Sequence, residues 1–267
     1  MAYRPTHQTE CCAGQIHRLM PNYVARMWLR SRDGVVAALY GPSKFKYDKD
    51  LALVQETSYP YSERITIRVE AEKAKKFALH LRIPGWCEGA TLSVNGKSVQ
   101  EELESGTFFT LNRKFANGDC IVLELPMKVV RKTAHGSGVW FERGPLVYTY
   151  AIPEKWEKDT FRYANMNGKY PADDNEFPCW SITPAGDWNY AVAADEEAKA
   201  VSTSKGPRLK LKVYPIDWEL AKGPKGELLT PDLPIAPAAT GKGKYIELTP
   251  YGQTQLRLTV FPVLYKK

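Results

Sequence analysis

The chain has 267 residues, 43% of them hydrophobic, and carries a net charge of +7 from 37 basic and 30 acidic side chains. That composition excludes a disordered chain and supplies enough apolar material for two small domains. The basic residues are dispersed, with only short clusters such as Lys73-Ala74-Lys75-Lys76, and no apolar run approaches the ~20 residues of a membrane span, so no nucleic-acid partner and no membrane partner is expected.

The first ordered stretch, His7-Gln8-Thr9-Glu10-Cys11-Cys12-Ala13-Gly14-Gln15-Ile16-His17-Arg18, holds most of the chemistry. Adjacent cysteines fit disulfide geometry poorly. Three readings stay open: the pair binds a metal, reacts as thiolate, or packs as two small apolar residues at a helix start. A closed zinc site needs about four ligands, and this stretch offers few. The five cysteines are too scattered for a disulfide framework, so Cys87, Cys120 and Cys179 read as buried thiols.

Residues 14 to 30 read as an amphipathic helix. Ile16, Leu19, Met20, Tyr23, Val24, Met27 and Trp28 recur at helical spacing, and Pro21 should kink or restart it. So wide a stripe at the start of the chain needs a partner surface. Met1 to Pro5 lacks the apolar region of a signal peptide. The compartment stays open between periplasmic or secreted and cytoplasmic.

From Arg32-Asp33-Gly34 onward the pattern changes to strands. Short apolar runs at 35–40 and 51–55 precede Arg64 to Glu70 and Phe77 to Ile83, which alternate with period two. His80 falls on the polar phase and reads as a surface residue. Val94-Asn95-Gly96-Lys97 is a hairpin signal. Strands at 108–111 and 120–125 follow, separated by Asn117-Gly118-Asp119. Arg143-Gly144-Pro145 reads as a structural corner between the strands around Phe141 and Tyr148. Residues 153 to 190 are irregular and rich in tryptophan (Trp156, Trp180, Trp188). Those rings either fill a core or stack on sugars. Ala191 to Ala200 suggests a short helical turn, 209–214 a strand, 223–244 a surface loop, and 245–248 and 254–261 the closing strands.

Glu10 to Arg18, followed by Pro21-Asn22-Tyr23 and Met27-Trp28, resembles the glycoside hydrolases of family 127, typified by β-L-arabinofuranosidases. Leu81-Arg82-Ile83-Pro84-Gly85-Trp86, Val94-Asn95-Gly96, Leu125-Pro126-Met127 and Arg143 to Tyr148 continue the likeness in order. The resemblance implies a mainly β chain, with two antiparallel β-sandwich domains preceded by a short helical remnant of an α/α barrel. Expected boundaries are 1–33 for the helical end, 34–135 for the middle sandwich and 136–267 for the C-terminal sandwich. It also implies that Cys11 is the nucleophile of a retaining glycosidase and that Cys12 is a zinc ligand, with Cys11 touching the metal too. The parent substrate would be a plant-type arabinose-containing glycan. The family's acid/base, its remaining zinc ligands and its sugar-binding histidines precede the cysteine pair, and ten residues cannot supply them. The chain therefore reads as part of a longer enzyme whose α/α barrel is its covalent partner, inactive by itself. The alternative is a non-catalytic carbohydrate-binding or structural β-sandwich module.

Overall fold

The computed structural model describes residues 2–3, 11–133, 138–159, 179–204, 206–224 and 228–265; at positions 2–3, 11–16, 159 and 179 it describes backbone only. The chain divides into two compact units, Cys11–Lys128 and Met1–Glu10 with Val129–Lys267. It opens with strand β1 (Ala2–Tyr3) and helix α1 (Cys11–Ala25). Among the described residues, everything after α1 is strand, turn or loop, apart from one 3-10 turn at Tyr251–Gln253. The fold is mainly β with one short helix, as the sequence implied.

The unit Cys11–Lys128 holds β2 (Trp28–Arg30), β3 (Gly34–Ala37), β4 (Ser43–Lys46), β5 (Leu51–Thr57), β6 (Arg64–Ala71), β7 (Lys75–Arg82), β8 (Thr91–Val94), β9 (Lys97–Ser98), β10 (Phe108–Phe115) and β11 (Cys120–Glu124). They form two sheets, ordered β10-β7-β3-β2 and β4-β5-β6-β11-β8-β9. Period-two alternation builds the core. Ile65, Ile67 and Val69 from one sheet and Phe77, Leu79 and Leu81 from the other are all buried in one cluster. Phe77 sits between Tyr47 and Phe115, at centroid distances of 4.7 and 4.5 Å.

One pairing departs from the antiparallel expectation: β3 runs parallel to β7, with Gly34 opposite Ala78 and Val35 opposite Leu79. The chain between them runs through the other sheet before returning, and that long crossover permits parallel pairing. Gly34 is required at the seam, since a Cβ there would lie 1.9 Å from the Ala78 carbonyl oxygen. The Asn95-Gly96 turn takes φ values of 51° and 76°, the left-handed pair that a two-residue hairpin of this type needs.

The other unit holds β12 (Val129–Thr133), β13 (Gly138–Arg143), β14 (Leu146–Ala151), β15 (Glu154–Asp159), β16 (Cys179–Pro184), β17 (Tyr190–Ala191), β18 (Lys199–Thr203), β19 (Gly206–Pro215), β20 (Ala221–Lys222), β21 (Leu228–Leu229), β22 (Lys244–Pro250), β23 (Arg257–Leu258) and β24 (Phe261–Pro262). Its main sheet follows β12-β13-β14-β22-β19-β17, and β1-β16-β15 form a small sheet of their own. Val139, Phe141, Tyr148, Leu209, Leu211, Leu248 and Phe261 make its core. Because β12 pairs with β13, Val129–Thr133 belongs to this unit, against an expected boundary at 135.

Three local expectations are corrected. The helix stops at Ala25, and Met27-Trp28 turn into the sheet, where both are buried. Ala191 to Ala200 contains no helix among the described residues, only strand ends and a turn. The expected strand at 254–261 is two short pieces, β23 and β24, pairing with β14 and β13 respectively.

Candidate functional site

Cys11 and Cys12 occupy the first two positions of α1. Their side chains lie outside the described residues, as do Glu10 and His7. The described part of the helix is tied to the sandwich at its far end. The Tyr23 hydroxyl donates to the Tyr40 carbonyl at 3.2 Å, and Tyr40 in turn donates to the Arg82 carbonyl at 2.6 Å. Arg82 Nε donates to the Ala38 carbonyl at 2.6 Å, so one strand end, one loop and the helix are joined. Asn22 Nδ2 donates to the Arg18 carbonyl, and Arg26 Nη1 donates to Asn22 Oδ1 at 2.6 Å, which brace the turn beside Pro21. Residues 17–26 are exposed throughout, including His17. At 1.5 Å per residue, Tyr23 lies about 18 Å along the helix axis from Cys11.

The other described cysteines differ in kind. Cys87 is fully buried, and burial followed by the nearby Glu63 carboxylate pushes its thiol up to about 11. It therefore stays protonated at neutral pH and is a poor nucleophile. Cys120 is half-buried at the start of β11 and unbridged.

The structure reveals one polar constellation that the sequence reading missed. His80 is half-buried, not a free surface residue. Its ring nitrogens lie 2.9 Å from Thr110 Oγ1 and 3.1 Å from Asp33 Oδ1, and Ser31 donates to Asp33 at 2.9 Å. The His80 hydrogen bond, then that of Ser31, holds the Asp33 carboxyl below its usual range. The order hydroxyl–imidazole–carboxylate is that of a proton relay. Yet Thr110 is an exposed cross-strand neighbour of His80, and no hollow described here opens onto it. The network pins the Ser31–Asp33 loop to β7. The register of β7 against β10 brings Thr110 to His80, and the parallel pairing of β3 with β7 brings Asp33 there, so no sequence signal pointed to it.

Among the tryptophans, Trp156 is 42% exposed, donates from Nε1 to Glu154 and meets Trp180 edge-on at 6.1 Å. Trp188 instead packs on the core beside Trp218, at 4.9 Å. Among the described residues are two shallow hollows. One of about 430 Å³ is lined by Lys44, Lys46, Asp48, Asp50, Glu70 and Glu72 among others. One of about 390 Å³ is lined by Pro145, Leu146, Val147, Tyr251, Gly252 and Thr259. Neither includes a residue of α1.

Among the described residues, no three His, Cys, Asp or Glu side chains converge as a metal cage. Two adjacent thiols suit a thiophilic metal such as zinc, but they supply only two of about four donors.

Residues 34–127 match the family model for the β-L-arabinofuranosidase GH127 middle domain. The matched segment runs from β3 to just past β11 and begins after the cysteine pair. The fold likeness extends further. The chain resembles a GH127 β-L-arabinofuranosidase from Geobacillus stearothermophilus T6, with a TM-score of 0.61 and 22% identity over 95% of this chain and 37% of that one. A structure described as a glycoside hydrolase gives 0.62 and 25% over 96% and 40%. A GH127 β-arabinofuranosidase gives 0.62 and 20% over 98% and 40%. The chain thus spans about two fifths of the length of these structures. No curated protein matches it.

Proposed function

We propose that this chain carries the nucleophile segment and the β-sandwich portion of a retaining glycoside hydrolase acting on β-L-arabinofuranosides, with plant-type arabinose-containing glycans as the parent substrate. Cys11 is the nucleophile. Its sulfur bonds to the anomeric carbon as the glycosidic C–O bond breaks and an acid outside this chain protonates the leaving oxygen. Water then displaces the sulfur, and two displacements at one carbon retain configuration. Cys12, with Cys11, contributes thiolate donors to zinc.

The observation that carries this reading is where α1 begins. The helix starts at Cys11, inside the Glu10–Arg18 motif, so the cysteine pair takes the first two helical positions, and the macrodipole at a helix N-terminus favours thiolate. The GH127 middle domain directly downstream supports the same family context.

The test is alkylation by iodoacetamide across pH 5–9, read residue by residue by mass spectrometry. Cys11 should react at a lower pH than Cys120, while Cys87 stays unlabelled in the folded chain. A Cys11 that alkylates no faster than a simple peptide thiol overturns the nucleophile assignment. The 267-residue chain alone should release no L-arabinose from an aryl β-L-arabinofuranoside, and release would overturn its proposed inactivity. A second reading, a glycan-binding module, has exposed Trp156 in its favour. It predicts glycan retention that Trp156→Ala abolishes and Cys11→Ser leaves intact.

A further inference from the structure

The outer face of β19 and β22 carries chemistry that the reading above leaves unused. Along β19, Leu209, Leu211 and Val213 are buried, while Lys210, Lys212 and Tyr214 take the opposite, outward phase. The register sets Lys199 of β18 beside Lys210, and Lys210 beside Glu247 of β22; Lys212 faces Tyr245 on the next rung. Tyr245 is 62% exposed. Lys210 Nζ lies 4.5 Å from the Tyr245 ring centroid, and Lys212 Nζ lies 5.5 Å from that of Tyr214. Tyr214 lies over Gly243, where an added Cβ would be 2.7 Å from its Cε1, so the glycine makes room for the ring.

The charge on this face is mainly positive. Glu247 has the Arg208 guanidinium 3.6 Å away, and Glu196 acts on Lys212 from a distance without pairing to it. No carboxylate lies within ion-pair distance of Lys199, Lys210 or Lys212 among the described residues. Ring and ammonium are therefore presented together, repeatedly, along a flat strand surface. A uronic acid needs that combination, because its C–H face packs on an aromatic ring while its carboxylate meets a cation. Neighbouring strands are about 4.8 Å apart, close to the length of one hexose ring, so successive sugars could meet successive strands.

We propose that the β18–β19–β22 face binds an anionic polysaccharide, a run of uronic-acid sugars, with Tyr214 and Tyr245 as stacking platforms and Lys199, Lys210 and Lys212 as carboxylate partners. The inference goes beyond the catalytic reading and does not need it. Its assay reads retention and not hydrolysis, so its failure leaves the cysteine assignment where it stood.

The experiment is affinity electrophoresis of the full 267-residue chain through gels containing polygalacturonate, neutral arabinan or single-stranded RNA. Polygalacturonate should retard the chain and arabinan should not. The double variant Lys210→Ser/Lys212→Ser and the single Tyr245→Ala should each weaken retardation about tenfold. Lys44→Ser/Lys46→Ser removes the same charge from the other unit and should change it less than about twofold. These outward side chains leave the core intact, and thermal melts check that; should Tyr245→Ala unfold, the lysine pair decides. Absence of retardation, equal loss in the Lys44/Lys46 control, or tighter retention by RNA overturns the proposal.

Discussion

Helix α1 leaves Leu19, Met20 and Val24 at 67, 59 and 58% exposure, whereas β7 buries Phe77, Leu79 and Leu81 almost completely. Both segments follow a clean apolar period, 3.6 in one and 2 in the other. The difference lies in what is available to cover them. Two sheets of the same unit face each other and satisfy one another's apolar sides. The helix touches the sandwich through Tyr23 and its C-terminal turn, and Leu19, Met20 and Val24 stay exposed among the described residues. A regular pattern thus predicts a buried face only where a second surface is present to bury it.

The comparison breaks most sharply at Phe115, fully buried and 4.5 Å from Phe77. Phe115→Ala should cost about 3–5 kcal/mol in urea unfolding, because it combines lost transfer energy with a cavity. A cost below about 1 kcal/mol would mean that the sandwich core is looser than its packing implies.

Asp119 is the intermediate case. Its burial pushes the carboxyl upward, but the Asn95 side chain at 2.7 Å, the Ala116 amide at 2.9 Å and the Arg113 guanidinium outweigh that, and the net shift is downward. The depressed value means that its stabilisation is complete above the ordinary carboxylate value of about 3.9 and is lost as pH falls from there toward the folded-state value. Asp119→Ala should cost about 1–3 kcal/mol at pH 7 and flatten the acid limb of the stability–pH curve. An acid limb unchanged in the variant would assign the slope to other carboxylates.

The smallest effect belongs to the helix. Leu19→Ser and Val24→Ser should each shift stability by no more than about 0.5 kcal/mol, as exposed positions do. A cost like that of Phe115→Ala would show that the stripe is covered in solution.

Much of the middle sandwich was legible because its signals are local. Asn95-Gly96 specifies its own turn, and Arg64–Glu70 and Phe77–Ile83 specify which side of each strand faces inward. Where local signals fail, so did the reading. Glu154-Lys155-Trp156-Glu157-Lys158-Asp159 is a strand with almost no apolar residue, paired to β16 across a long connection, and nothing in its period announces it. Met27-Trp28 continue the helical spacing of α1, yet backbone pairing with Ala37 draws Trp28 into a sheet. The His80–Asp33–Thr110 network depends on three separate elements meeting. In the sequence, the roles proposed for Cys11 and Cys12 were legible only by resemblance, since neither spacing nor charge distinguishes a nucleophile from a packed thiol.

The parallel seam between β3 and β7 also has a consequence in time. Hairpins such as β4–β5 and β8–β9 join residues near in sequence and can form within microseconds. Gly34 meets Ala78 only after the 43 residues between them have been gathered, and that entropy is spent before the seam returns any contact. The pace at which the sandwich closes is therefore set less by its turns than by distant pairings such as Val35 with Leu79 and, further apart still, Ile65 with Leu123.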